Sequence, residues 1–135
     1  MIELSAGMWA KLFAVLMMIE SGGEPDPASA VGDNGASVGA LQIQMAVIED
    51  VNRVYRTQYD SDDRKCIETS KEICRKYLTY WINRYHKNTG NEVILNDFAL
   101  CWNGGCHWYK AKPNSSQYIA LQKYNEKFVR FYGRL

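Results

Sequence analysis

The strongest constraint on how this chain can fold is an apolar run at positions 8–19 that ends on a glutamate. Met8, Leu12, Val15 and Ile19 recur at helical spacing with Trp9, Phe13 and Leu16 beside them, so the run predicts a helix buried on a broad face. Ser21, Gly22 and Gly23 close it, which leaves Glu20 on the last turn, ahead of a Glu-Pro-Asp-Pro loop. A bilayer span takes about 20 apolar residues, and this run is shorter and contains Lys11. A cleaved export signal fits poorly as well, because cleavage behind the run would discard Glu20 or strand it at the new terminus. The run therefore reads as a core helix, and stable membrane insertion is not expected.

At 135 residues the chain fits one domain, residues 1–135, with a core large enough to fold without disulfides. Hydrophobic residues at 47% and charged residues at 23% are ordinary globular values, which argue against disordered, collagen-like and membrane classes. The 16 basic and 15 acidic side chains nearly balance, and no Lys/Arg run is interleaved with aromatics, so no nucleic-acid partner is expected. Cys66, Cys74, Cys101 and Cys106 allow several pairings. Within a helix, Cys66 and Cys74 would stand about 12 Å apart along the axis, too far for a bridge, whereas Cys101 and Cys106 flank a glycine turn and a bridge there is feasible. Neither pair has zinc-ligand spacing, and only His86 and His107 are present to complete a site. Buried or paired thiols are expected, with no metal and no cofactor.

Residues 31–43 are rich in glycine and small side chains and contain an Asn34-Gly35 pair, the signal of a small hairpin. Val47, Val51 and Val54 mark a short helix. Asp60, Ser61, Asp62 and Asp63 then read as the polar start of a longer helix, which carries Ile67, Cys74, Leu78, Trp81 and Tyr85 on one stripe and stops near Asn88-Thr89-Gly90. A further helix is expected from about Asn96 or Asp97 to Trp102, halting at Asn103-Gly104-Gly105. The last opens at Ser115 or Ser116 and buries Leu121, Tyr124, Phe128 and Phe131. The fold class is mainly α within α+β: a helical bundle with one small hairpin.

An acid at the end of an apolar helix, followed by a glycine-rich hairpin carrying a second acid, supplies what glycoside cleavage requires. Burial would raise the pKa of Glu20 and keep it protonated, ready to donate to a leaving oxygen, while Asp33 in its polar turn would stay ionised. By residue type and spacing alone the pair is better explained as ordinary helix-end and turn residues.

Four stretches shift that balance. Ile-Glu-Ser-Gly-Gly at 19–23, Gly-Asp-Asn-Gly-Ala-Ser-Val-Gly-Ala-Leu-Gln-Ile at 32–43, Trp-Asn-Gly-Gly at 102–105 and Tyr-Asn-Glu-Lys-Phe at 124–128 resemble the lysozyme superfamily in order and spacing. The chain looks most like invertebrate-type lysozymes and their bacterial and phage relatives, and is also similar to goose-type lysozymes and soluble lytic transglycosylases. The resemblance implies a lysozyme-like fold whose hairpin lines an active-site cleft, with Glu20 as general acid and Asp33 as nucleophile or stabiliser. It implies that Ser37, Gln42 and Ile43 bind substrate from the hairpin side and that Trp102, Asn103 and Gly104 do so from the opposite wall. It also matches Tyr124 to a tyrosine that approaches the acid in the transglycosylase branch. Trp102 and Tyr124 also lie where core residues are expected. His107, beside Trp108, is given no role.

The chain departs from the invertebrate-type pattern in having only four cysteines and none near Glu20, and Cys106 stands where a proline often follows Gly-Gly. The reaction implied is hydrolysis of the β-1,4 bond between N-acetylmuramic acid and N-acetylglucosamine in bacterial peptidoglycan by a monomer. A carboxyl separation of about 5–5.5 Å would imply retention and about 6.5–9.5 Å inversion. The competing enzyme reading is a lytic transglycosylase, with Glu20 as sole acid and base and an anhydromuramic product. A wall-binding or assembly protein without turnover is the alternative from another class; retention of both acids argues against it. Such a substrate implies a secreted, periplasmic or virion-associated protein.

Overall fold

In the computed structural model, which describes residues 2–22 and 24–135, the apolar run forms helix α1, Ala6–Ser21. Gly23, expected to help close it, lies outside the described residues. Trp9, Leu12, Phe13, Val15 and Leu16 are buried. Met8 departs from the expected stripe at 40% exposure, beside the exposed Ala6 and Gly7, and Ile19 is half-buried. At 3.6 residues per turn, positions 9, 13, 16 and 20 fall on one face, so Glu20 continues the row of Trp9, Phe13 and Leu16.

The glycine-rich segment forms a two-stranded antiparallel sheet, β1 (Val31–Gly32) and β2 (Ser37–Val38), in the register Val31 to Val38 and Gly32 to Ser37. The Asn-Gly pair does not make a two-residue turn. It lies in a four-residue connection with a 3₁₀ turn over Asp33–Gly35, and Asp33, Asn34 and Gly35 all have positive φ, at 50°, 56° and 94°. Asp and Asn are among the few residues with side chains that enter this region readily. The chain then doubles back once more, where Val38 and Ile43 exchange backbone hydrogen bonds at 3.2 and 3.0 Å.

Helix α2 (Met45–Tyr55) buries Ile48 and Val51. The acidic run that follows does not open the long helix. Asp60 caps a separate 3₁₀ turn, Ser61–Lys65, accepting from the N–H groups of Asp62 and Asp63 while Asp63 accepts from Asp60 N–H. Cys66, extended at φ −93° and ψ 118°, breaks the path before α3 (Ile67–Thr89) begins. Ser70, Ile73, Cys74, Tyr77, Leu78, Ile82 and Tyr85 are buried along α3, whereas Ile67 is 37% exposed at its start. Gly90, at φ 71°, ends the helix with its N–H on His86 O, as the Asn-Thr-Gly sequence predicts.

Helix α4 (Leu95–Gly104) and helix α5 (Ser116–Tyr132) complete the chain and pack on each other. Ser115 caps α5 through its hydroxyl and Tyr118 N–H, and Leu121, Tyr124 and Phe128 are buried, with Phe131 only half-buried. The described residues are thus mainly helical, with five α-helices and one small sheet, an α+β class. None of these helices is long and apolar enough to cross a membrane.

The residues cluster into two compact units, Met1–Val15 with Leu78–Leu135, and Leu16–Tyr77; the divisions fall inside α1 and α3. The first has its core in Trp9, Leu12, Phe13, Leu78, Ile82, Phe98, Trp108, Leu121 and Phe128. The second has its core in Leu16, Val38, Leu41, Ile43, Ile48, Val51, Ile73 and Tyr77, and it contains the whole hairpin.

Candidate functional site

Five of the nine sequence-derived site residues, Glu20, Asp33, Ser37, Gln42 and Ile43, belong to the unit Leu16–Tyr77. Glu20 is half-buried on the last turn of α1. The next residue ties that turn to the hairpin segment: Ser21, itself buried, donates its hydroxyl to Ala40 O at 2.7 Å and to Met17 O at 3.2 Å. The helix end bearing Glu20 is thus joined to the segment that follows β2 by a buried hydrogen bond one residue beyond Glu20.

Asp33 is exposed, and the left-handed backbone at its own position turns its carboxylate back toward β2. There Oδ2 accepts the Ser37 hydroxyl at 2.5 Å, and the Gln44 amide stands 3.5 Å from Oδ2 and 3.4 Å from Ser37 Oγ. Ser37 is only 2% exposed, so its hydroxyl orients Asp33 from within the fold.

The other two hairpin residues are differently placed from the expectation that they contact substrate. Gln42 turns its amide nitrogen onto Ala30 O at 3.2 Å and Gly39 O at 2.9 Å, so that group holds the hairpin backbone. Ile43 is 1% exposed and packs in the core. Both residues thus make structural contacts. The reason is the doubling-back at residues 38–43, which folds this stretch over itself; a linear motif carries no sign of that.

Arg64 is a contributor that sequence reasoning missed. Its side chain is buried, and its Nη1 donates to Ala36 O at 3.3 Å and Ile43 O at 3.1 Å. Nε donates to Ser61 O at 3.0 Å and Nη2 to Ser61 Oγ at 2.6 Å. It sits in a Ser-Asp-Asp-Arg-Lys run that reads as solvated charge, and nothing local in the sequence marks it as buried.

The remaining four, Trp102, Asn103, Gly104 and Tyr124, belong to the other unit. Trp102 is half-buried and Asn103 exposed at the end of α4. Gly104 has a packing function: a Cβ there would stand 2.6 Å from Leu121 Cδ2 and 3.0 Å from Trp108 Cβ, so its lack of a side chain permits close approach of α4, α5 and the 3₁₀ turn Trp108–Lys110. Tyr124 is 7% exposed, in the row of Leu121 and Phe128.

In the same unit a buried carboxyl stands at the start of α4. Asp97 accepts Ile94 N–H at 2.9 Å, and burial raises its pKa above the usual carboxylate value, with that hydrogen bond opposing. One turn on, the Cys101 thiol is pushed well up by burial, with nearby Cys106 and Asp97 adding to it. Cys66 is an exposed free thiol, whereas Cys74 and Cys101 are buried and Cys106 half-buried. The expectation of buried or paired thiols therefore fails for Cys66, which lies at the break before α3 and not on the helix. No group of three or more His, Cys, Asp or Glu among the described residues is arranged to hold a metal ion.

Comparison of the chain with protein-family models, characterised proteins and solved structures found no match.

Proposed function

We propose that this chain is a peptidoglycan-cleaving muramidase with a lysozyme-like fold, acting on the β-1,4 bond between N-acetylmuramic acid and N-acetylglucosamine. The observation that carries the reading is the buried Ser21 to Ala40 hydrogen bond, which ties the helix end bearing Glu20 to the hairpin bearing Asp33. Two further features support it: Glu20 continues the buried face of α1, and Asp33 is exposed with one oxygen held by Ser37. The resemblance of the four sequence stretches to the lysozyme superfamily points the same way.

In this mechanism Glu20 gives its proton to the glycosidic oxygen as the bond breaks. Asp33, steadied by Ser37, attacks or stabilises the developing positive charge at the anomeric carbon, and Glu20 then takes a proton from the incoming water. With Asp33 as nucleophile, two displacements leave the anomeric configuration unchanged. Trp102 and Asn103, in the other unit, are sugar-binding candidates on the resemblance alone. The natural partner is bacterial peptidoglycan, the working form a monomer, and the setting secreted, periplasmic or virion-associated.

Mass spectrometry of products from purified peptidoglycan tests the assignment. The wild type is expected to release reducing-end muropeptides, with Glu20→Gln and Asp33→Asn each slower by about 100-fold or more while still folded. Anhydromuramic products that survive Asp33→Asn would identify a lytic transglycosylase instead. Tight wall binding with no product dependent on Glu20 would identify a binding protein.

A further inference from the structure

We propose that Arg64 is the positioning residue of the catalytic hairpin: its buried guanidinium sets the path of residues 36–43 and thereby aims Ser37 at Asp33. The inference rests on the muramidase reading for its kinetic consequence, and on the hairpin geometry alone for its structural one.

Nη1 bridges two carbonyls on either side of β2, Ala36 O immediately before Ser37 and Ile43 O after the doubling-back. Ile43 O also accepts Val38 N–H, so the guanidinium adds a side-chain tie to a segment whose backbone is already paired at Val38 and Ile43. Arg64 is itself fixed at both ends. Ser61 holds Nε and Nη2, and the buried Ser70 hydroxyl donates to Arg64 O at 3.0 Å. Gly39, at φ 90°, lies so close to that same carbonyl that any Cβ would collide with it. Side chain and main chain of one residue thus contact the hairpin at three points.

Among the described residues Arg64 forms no ion pair, and every acceptor it uses is a carbonyl or hydroxyl oxygen. Burying an arginine this way is a poor route to stability, since desolvating a cation is costly and an apolar side chain of similar volume packs as well. What a guanidinium supplies and an apolar group does not is direction: four N–H donors in a rigid plane, aimed at three residues. Asp33 is the beneficiary, because its one close hydrogen bond comes from the residue that follows Ala36. A displacement of about 1 Å at a reacting group can cost about 100-fold in rate, so a hairpin held loosely would bind substrate but turn it over slowly.

The full-length wild type is compared with Arg64→Lys, which keeps the charge but loses the fork, and with Ser61→Ala, a milder change that frees Nη2. Ile82→Val, a core change in the other unit, serves as a stability control. Steady-state kinetics on soluble peptidoglycan fragments, amide exchange and urea unfolding are measured for each. Arg64→Lys is expected to lower kcat by about tenfold or more with KM changed less than about twofold. Exchange at Val38, Gly39 and Ile43 should quicken by a similar factor while α3 amides keep their rates. Ser61→Ala should move in the same direction by less, and Ile82→Val should leave kcat unchanged. Hairpin exchange unaltered in Arg64→Lys and Ser61→Ala overturns the inference, as does a kcat loss that Ile82→Val reproduces at equal loss of stability. If the wild type cleaves no peptidoglycan, the muramidase reading falls, and the exchange data still decide whether Arg64 holds the hairpin.

Discussion

At the scale of single residues, the cysteines show how position decides chemistry for one side-chain type. Cys66 is exposed just before α3, where hydrogen bonds from the Thr69 side chain and backbone favour its thiolate and lower its pKa. Cys101 is buried, and its pKa is raised by burial and by Cys106 and Asp97 nearby. Because the thiolate is the nucleophile, iodoacetamide at pH 8 should alkylate Cys66 at least about tenfold faster than Cys74 or Cys101 in the folded protein. Peptide mass spectrometry over a time course reads this directly, and equal rates would contradict the placement of Cys66. Glu20 and Asp33 stand out in the sequence because each sits in a recognisable word. Arg64 does not, since the hairpin carbonyls it grips, Ala36 O and Ile43 O, lie 28 and 21 residues away in sequence and its own neighbours are charged.

Among the elements, the ends carry the information. Removing the Asp60 carboxylate in Asp60→Ala frees the N–H groups of Asp62 and Asp63, and should cost about 1 kcal/mol in urea unfolding. The acidic run looked like the head of α3 because a capping sequence announces a helix start without saying how long the helix is. The 3₁₀ turn it caps ends at Cys66, and α3 starts afresh beyond.

Asp97 makes the opposite point at the head of α4. Its pKa is raised in the fold, so the native state holds this proton more tightly than the unfolded chain, whose value is near 3.8. Between 3.8 and the higher native value, stability falls as pH rises, and the loss is complete above that value. Asp97→Asn keeps an oxygen for Ile94 N–H but carries no charge. Relative to wild type it should gain stability as pH rises through that window and hold the gain at pH 7. Urea midpoints at pH 3.5 and 7 check this, and a difference that does not grow with pH would contradict it.

For the molecule as a whole, each unit has a core dense enough to feel the loss of one side chain. Ile73→Ala in the unit Leu16–Tyr77 and Phe98→Ala in the other should each cost about 3 kcal/mol, read as a shift of the urea midpoint at constant slope. The sequence by itself determined the α1 core helix, the presence of a hairpin, the stop of α3 at Gly90 and the opening of α5. Those features depend on periodicity, capping and turn chemistry within a few residues. Only the tertiary structure decided that the Gln42 amide bonds the hairpin backbone and Ile43 is buried, that the acidic run caps a separate turn, and that Arg64 is drawn inside to grip the hairpin. The grip of Arg64 depends on carbonyls 28 and 21 residues away, which no local pattern announces. Burial then sets what a polar group must do, because a donor taken out of water has to find its acceptor wherever the folded chain supplies one.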